Sequence, residues 1–450
     1  MTFFDAHVIS RWRMALLGLS IVLLALLAAC GGEVLEPDST PAVAVEASAS
    51  PTATAAASPV PTPAGPRVIA TVTPSDDVVA KLAEVEAVVA RARGRNLDGP
   101  APRSFVNSAS MRALLDDELA DPEAITGIHD EELLLQALGL IGQNVDLLEA
   151  YRGLLGSQVV GLYTPDDRAL YVLANAEPGP LELVTYAHEF HHALQDQRFD
   201  LRAIEQATKG NRDASLAAGT LIEGDATYTQ TLYVQQALGQ AGALALLASA
   251  GSQPPPTAPP VLLDMLQFPY LQGLVFTGAL ARQGGVGAID AAFARLPASS
   301  EQVLHVDKYL AAEAPRAVTR PFATPAGWTI EDEDVLGEYL LQRWLRGFGL
   351  SGQVAAGAAA GWGGDRYAIV RGPSGPPALV AYVVWDSPND LDEFIHALLP
   401  AGPESEALLR TFASGRALSL VRIDATTLGL AVAADSATAD QLAGLLAGTR

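Results

Sequence analysis

Apolar residues recur at helical spacing in the stretch around position 190. Leu183, Tyr186, Ala187, Phe190 and Leu194 fall on one helix face, while His188, His192 and Asp196 form a separate stripe. Pro178 and Pro180 suit a helix entry, and no glycine or proline interrupts residues 181–197. The pattern predicts a helix packed on one side, with a histidine pair on the other. Upstream, Val79, Leu82, Val85 and Val88–Val89 share a face of a helix over residues 76–93. Helices are also expected over 111–119, 131–141 and 145–155, forming a helical N-terminal part that covers a sheet. Residues 159–163 and 169–173 read as strands joined by a turn at 164–168.

Downstream, a helix is expected over 215–238. The Ala/Gly- and Pro-rich stretch 239–260 reads as a loop. A helix over 262–281 should break near Pro269 and end at Gly284–Gly285, followed by a short helix at 289–295. The composition shifts near 315–325. Beyond it, helices at 334–348, 390–399 and 438–446 alternate with strands at 367–371, 379–385, 418–423 and 428–433. Residues 362–366 read as a turn that could face substrate. The fold class is therefore α+β. A catalytic region is expected over 76–320 and a C-terminal α+β region over 321–450.

The first 75 residues read differently. Arg11 and Arg13 precede an apolar run over 14–29, which is within signal-peptide length and short for a membrane span. It ends in Leu27-Ala28-Ala29-Cys30, which resembles the bacterial lipobox. Cys30 is the one cysteine of the chain, so no intramolecular disulfide can form. Residues 1–30 are expected to be a lipoprotein signal, with Cys30 lipidated and holding the protein to the membrane outside the cytoplasm. Residues 31–75, rich in Pro, Ala, Ser and Thr, are expected to be a disordered tether. The net charge of −23 excludes nucleic acid as a partner, because such binding needs a basic footprint.

The chemistry concentrates in His188-Glu189-x-x-His192. Positions i and i+4 lie one helical turn apart on one face, so two imidazoles there can reach one metal ion. Glu189 lies beside them, where a carboxylate can take a proton from an activated water. The motif resembles that of the zincin metallopeptidases. Leu221-Ile222-Glu223-Gly224-Asp225-Ala226 resembles the third-ligand segment of their glutamate-ligand branch, the gluzincins. The segments 188–197 and 300–309 also resemble stretches of a poorly characterised group of bacterial lipoproteins regarded as metallopeptidases.

The resemblance implies a zincin-like fold, with Zn²⁺ held by His188, His192 and Glu223 and with Glu189 as general base. Asp196, Asp200 and Glu205 compete with Glu223 as third ligand. Asp196 and Asp225 are the expected partners that orient the ligating histidines. His305, Tyr228 or Tyr270 could stabilise an oxyanion, and His305 could equally brace local structure. The hairpin before the motif helix could bind an extended substrate by strand addition. His129 and His396 carry no expected chemistry. The expected activity is peptide-bond hydrolysis outside the cytoplasm. The competing readings are a lipoprotein that binds a peptide or protein partner without catalysis, and a zinc hydrolase of non-peptide amides.

Overall fold

The computed structural model describes residues 69–100, 103–155, 161–174, 178–251, 258–399, 410–411 and 415–448. The expected signal segment, Cys30 and the tether up to residue 68 lie outside the described residues. Among the described residues, no helix is long and apolar enough to cross a membrane.

The chain opens with α1 (Asp76–Arg93). Ser75 caps it by accepting a hydrogen bond from the Val78 amide, and Gly94 ends it in the left-handed conformation. Strand β1 (Arg103–Val106) leads to α2 (Ser108–Ala120), α3 (Pro122–Ala137) and α4 (Leu147–Leu155). The expected hairpin forms as β2 (Gly161–Thr164) and β3 (Ala169–Leu173). The sheet order is β1-β3-β2, with β1 parallel and β2 antiparallel to β3, so β2 is an edge strand.

The motif helix α5 (Pro180–Phe199) follows, then α6 (Leu201–Thr208) and α7 (Arg212–Tyr233), which runs into a π-helical turn at Val234–Leu238. Residues read as a loop begin with a helix instead, α8 (Gly239–Gly251). Alanine's high helix propensity outweighs the glycines there. Helix α9 (Pro260–Ala294) passes straight through Pro269. The expected break near Pro269 does not occur. Burial of Leu266, Phe268, Tyr270 and Phe276 on either side offsets the one backbone hydrogen bond that proline removes. The chain does leave helical geometry at Gly284–Gly285. Short helices α10 (Ser300–Leu304) and α11 (Val306–Leu310) complete this half.

The C-terminal half holds β4 (Thr329–Asp334), α12 (Gly337–Gly347), α13 (Gly352–Ala359), β5 (Trp362–Arg371), β6 (Ala378–Trp385), α14 (Pro388–Leu398), β7 (Arg410–Thr411), β8 (Ala417–Arg422), β9 (Thr427–Ala433) and α15 (Ser436–Gly448). The six strands run in the order β4-β5-β6-β9-β8-β7, with every pair antiparallel. Strand β4 was not expected, because its Thr-Ile-Glu-Asp-Glu-Asp sequence lies on an exposed edge and lacks apolar alternation. Residues 362–366 belong to a strand, not a turn. Asp365 is buried there and accepts from the Leu336 and Gly337 amides and the Trp362 indole, so it braces α12 and does not face a ligand.

One apolar cluster spans both halves: Leu216 and Leu280 belong to the same core as Trp344, Ile369 and Leu418. A second cluster packs α1 and the sheet against the apolar face of α5 through Leu82, Val89, Leu170, Tyr186, Phe190 and Leu194. This second cluster presses α5 from behind and turns its histidine stripe toward α7.

Candidate metal centre

Helices α5 and α7 bring His188, His192 and Glu223 together, with ligand-capable atoms within 4.8 Å of one another. The Nε2 atoms of His188 and His192 stand 3.0 Å apart, and Glu223 Oε2 lies 3.1 Å from the first and 3.6 Å from the second. Ligand atoms around a tetrahedral cation with bonds of about 2.0–2.1 Å stand about 3.3 Å apart. The triangle matches that size.

The outer nitrogens are committed elsewhere. His188 Nδ1 lies 3.2 Å from Gln230 Oε1, and His192 Nδ1 lies 2.7 Å from Gln195 Oε1. The Gln195 amide group donates to the Ile222 carbonyl and to Asp225 Oδ2, both at 3.0 Å, so its oxygen faces His192. An amide oxygen only accepts, so Nδ1 of each ring carries a hydrogen and Nε2 is the nitrogen left to face the cluster. Two imidazole nitrogens and a carboxylate oxygen that converge in the interior could hold a metal ion between them. Glu223 Oε1 is buried with no hydrogen-bond partner.

Exposure is 0% at His188 and 1% at each of Glu189, His192 and Glu223. Burial holds His188 below the ordinary imidazole value. Burial also opposes charge on His192, but Glu223 and Glu189 outweigh it and raise His192 to about 9. Burial disfavours the Glu223 carboxylate, yet His192 and His188 hold it at about 2. Without a metal ion, then, one proton on His192 supplies the positive charge of the cluster. Burial lifts Glu189 to about 8, against the pull of His192 and the Tyr163 amide.

Glu189 Oε2 accepts from the Tyr163 backbone N–H at 2.9 Å, and Oε1 is buried without a hydrogen-bond partner. Tyr163 pairs with Leu170 in the β2–β3 register, so an amide aimed at Glu189 points away from β3. The edge of β2 turned away from β3 therefore faces the motif helix. A pocket beside His192 and Glu223, lined also by Tyr163, Pro165, Leu201, Glu205 and Ile222, has about 20 Å³ open to water. That is room for about one water molecule.

The other expected site residues fall in different places. Asp225 supports His192 indirectly, through Gln195, and pairs with His191 at 2.8 Å. Asp196 does not touch a ligating histidine. It accepts from the Tyr163 hydroxyl at 2.6 Å and the Leu201 amide at 2.9 Å, because it lies on the flank of α5 that meets β2 and α6. Asp200 caps α6 through the Ala203 amide. Glu205 lines the pocket outside the ligand triangle.

His305 bonds Glu338 of α12 at 3.0 Å, which holds it in the contact between the two halves of the molecule. The Tyr270 ring centroid lies 5.9 Å from that of His188, whereas Tyr228 is half-buried on α7. A second group, buried Glu301 with exposed Glu313 and half-buried Asp386, also converges, but the Lys308 ammonium spans it.

Gln195 and Gln230 escaped the sequence reading, although spacing carries them: Gln195 follows His192 by three positions, and Gln230 follows Glu223 by seven. Arg93 and Tyr163 reach the site from distant parts of the chain, and no local pattern marks them.

Fold and site thus define an α+β protein with a buried cluster of two histidines and a glutamate beside a further glutamate. The profile of a family described as a domain of unknown function (DUF8575) matches residues 324–442, in the C-terminal half. No curated protein and no solved structure matches the chain.

Proposed function

We propose that the chain is a zinc-dependent metallopeptidase of the gluzincin type, anchored through Cys30 and acting on peptides or proteins outside the cytoplasm. The observation that carries this reading is the convergence of two imidazole nitrogens and a carboxylate oxygen within 3.0–3.6 Å. His188, His192 and Glu223 would hold the ion. Zinc there would polarise a carbonyl and lower the pKa of a water toward about 7. Three protein ligands with a water-sized pocket alongside fit a catalytic centre, since structural zinc sites take four protein ligands.

Glu189 is the proton carrier. Its unpartnered Oε1 takes a proton from the attacking water and delivers it to the leaving amine. The Tyr163 amide steadies Oε2 meanwhile. The outer edge of β2 is buried and its Tyr163 amide is held by Glu189, so main-chain pairing of an extended substrate along it would require the narrow pocket to widen.

The deep burial favours one competing reading, a lipoprotein that binds a peptide or envelope partner and uses the metal only to brace α5 against α7. Glu189→Gln separates the two. Zinc content by elemental analysis should stay at about one per chain, while peptide hydrolysis falls about 10²–10⁴-fold. Unchanged turnover would remove Glu189 from the chemistry. Absence of hydrolysis across a peptide library by a zinc-loaded wild type would favour the binding reading.

A further inference from the structure

We propose that Arg93 of α1 is a positioning residue of this metal centre, acting on His192 through Asp225 and Gln195; the proposal rests on reading His192 as a metal ligand. Arg93 stands in the last turn of α1, yet its side chain is only 2% exposed. Its guanidinium donates one hydrogen bond to Asp225, from Nη2 to Oδ2 at 3.4 Å, and stands beside the other oxygen as an ion pair, with Nη1 3.0 Å from Oδ1. Nη2 also meets Asp290 of α9 at 2.7 Å. A buried guanidinium so placed offsets the charge of the carboxylate and helps to hold it in place.

Oriented in this way, Asp225 Oδ2 receives one hydrogen of the Gln195 amide while the Ile222 carbonyl receives the other. Gln195 therefore shows its oxygen, not its NH₂ group, to His192 Nδ1 at 2.7 Å. If the amide turned over, it would offer a donor to Nδ1. His192 would then carry its hydrogen on Nε2, with no lone pair for a metal. Removing Arg93 leaves Asp225 buried without its cation and held only by His191 and Gln195, which loosens the carboxylate and the amide that it orients.

Arg95 supplies the control. It follows Arg93 by two positions and also pairs with Asp290, but no contact ties it to Asp225.

The test uses the full chain and two readouts: zinc affinity by chelator competition, and the His192 tautomer by imidazole nitrogen NMR. Arg93→Ala should bind zinc about 10–100-fold more weakly and show mixed His192 tautomers, as loss of an outer partner does. Added guanidinium should restore both. Arg93→Lys should fall between Arg93→Ala and wild type, and Arg95→Ala should match wild type.

A folded Arg93→Ala with wild-type affinity and a single tautomer overturns the proposal, as does equal weakening by Arg95→Ala. If Arg93→Ala does not fold, Arg93→Lys decides alone, and wild-type affinity in it overturns the role of the guanidinium. A wild type that binds no zinc defeats the reading of the site and this inference with it. Zinc binding by wild type with no effect of Arg93 defeats this inference only.

Discussion

His192 faces a carboxylate, a second imidazole and an amide oxygen at once, all out of contact with bulk water. Its value near 9 reflects Glu223 and Glu189 outweighing burial, and it sets the pH dependence of metal binding. The proton must leave before Nε2 can bind a cation, so protonation below about 9 competes with zinc. Zinc affinity should rise at least about tenfold for each pH unit between 6 and 8, with release of about one proton or more per ion bound. Titration in zinc-buffered solutions, with calorimetry in two buffers of different ionisation enthalpy, measures both. Affinity flat across this range would mean that the cluster holds no proton to displace. The motif residues are legible from the sequence at this scale because HExxH encodes its geometry in one helical turn. Asp196 misled for the same reason: it shares the stripe by spacing, but β2 and α6 approach that flank of α5 and take its carboxylate.

At the scale of elements, the site is a contact between α5 and α7, and α7 is located by α9. Gly224 of α7 and Gly273 of α9 touch backbone to backbone. A Cβ on Gly273 would lie 2.7 Å from Gly224 Cα and 2.8 Å from its nitrogen. Thr277 strengthens the crossing by donating to the Gly224 carbonyl at 3.1 Å. Gly224 lies between Glu223 and Asp225, so the crossing fixes both carboxylates. Gly273→Ala should force the helices apart, lowering stability by about 1–3 kcal/mol or more in urea unfolding, and should weaken zinc binding. A neutral substitution would show that α9 does not set the position of α7. The glycine at position 224 is visible in the sequence, but its partner is not. That partner lies 49 positions away, 273 − 224, in a helix that the reading expected to break at Pro269.

Across the whole molecule, the two halves meet through buried carboxylates. Asp213 of α7 accepts from the Ser300 amide at 3.0 Å and lies against Gly337 at the start of α12. Burial, with Asp365 and Glu338 nearby, raises Asp213 to about 8, and burial raises Asp365 to about 6. An acid raised on folding keeps its proton in the native state while the unfolded chain has lost it. Stability is then fullest below the unfolded value near 4 and declines as pH rises toward the folded value. The melting temperature should therefore fall between about pH 5 and 8. Asp213→Asn should flatten that fall and melt at least about 2–4 °C higher at pH 8. A wild type whose melting temperature climbs over this range contradicts the assignment. The continuous apolar core across position 320 makes the halves interdependent, so this contact bears on the metal centre as well.

The sequence by itself determined what local periodicity can encode. It marked the motif helix, the hairpin before it, most strands of the larger sheet, and the residue types able to hold a metal. Tertiary structure decided which of several acids completes the triangle, since Asp196, Asp200, Glu205 and Glu223 all carry the needed oxygen and only packing of α5 on α7 selects among them. It also set His305 against Glu338 and sent Arg93 across the interior to Asp225. Helical spacing constrains neighbours within a few turns. Contacts between residues more than a hundred positions apart depend on how the elements pack, and no local pattern records that.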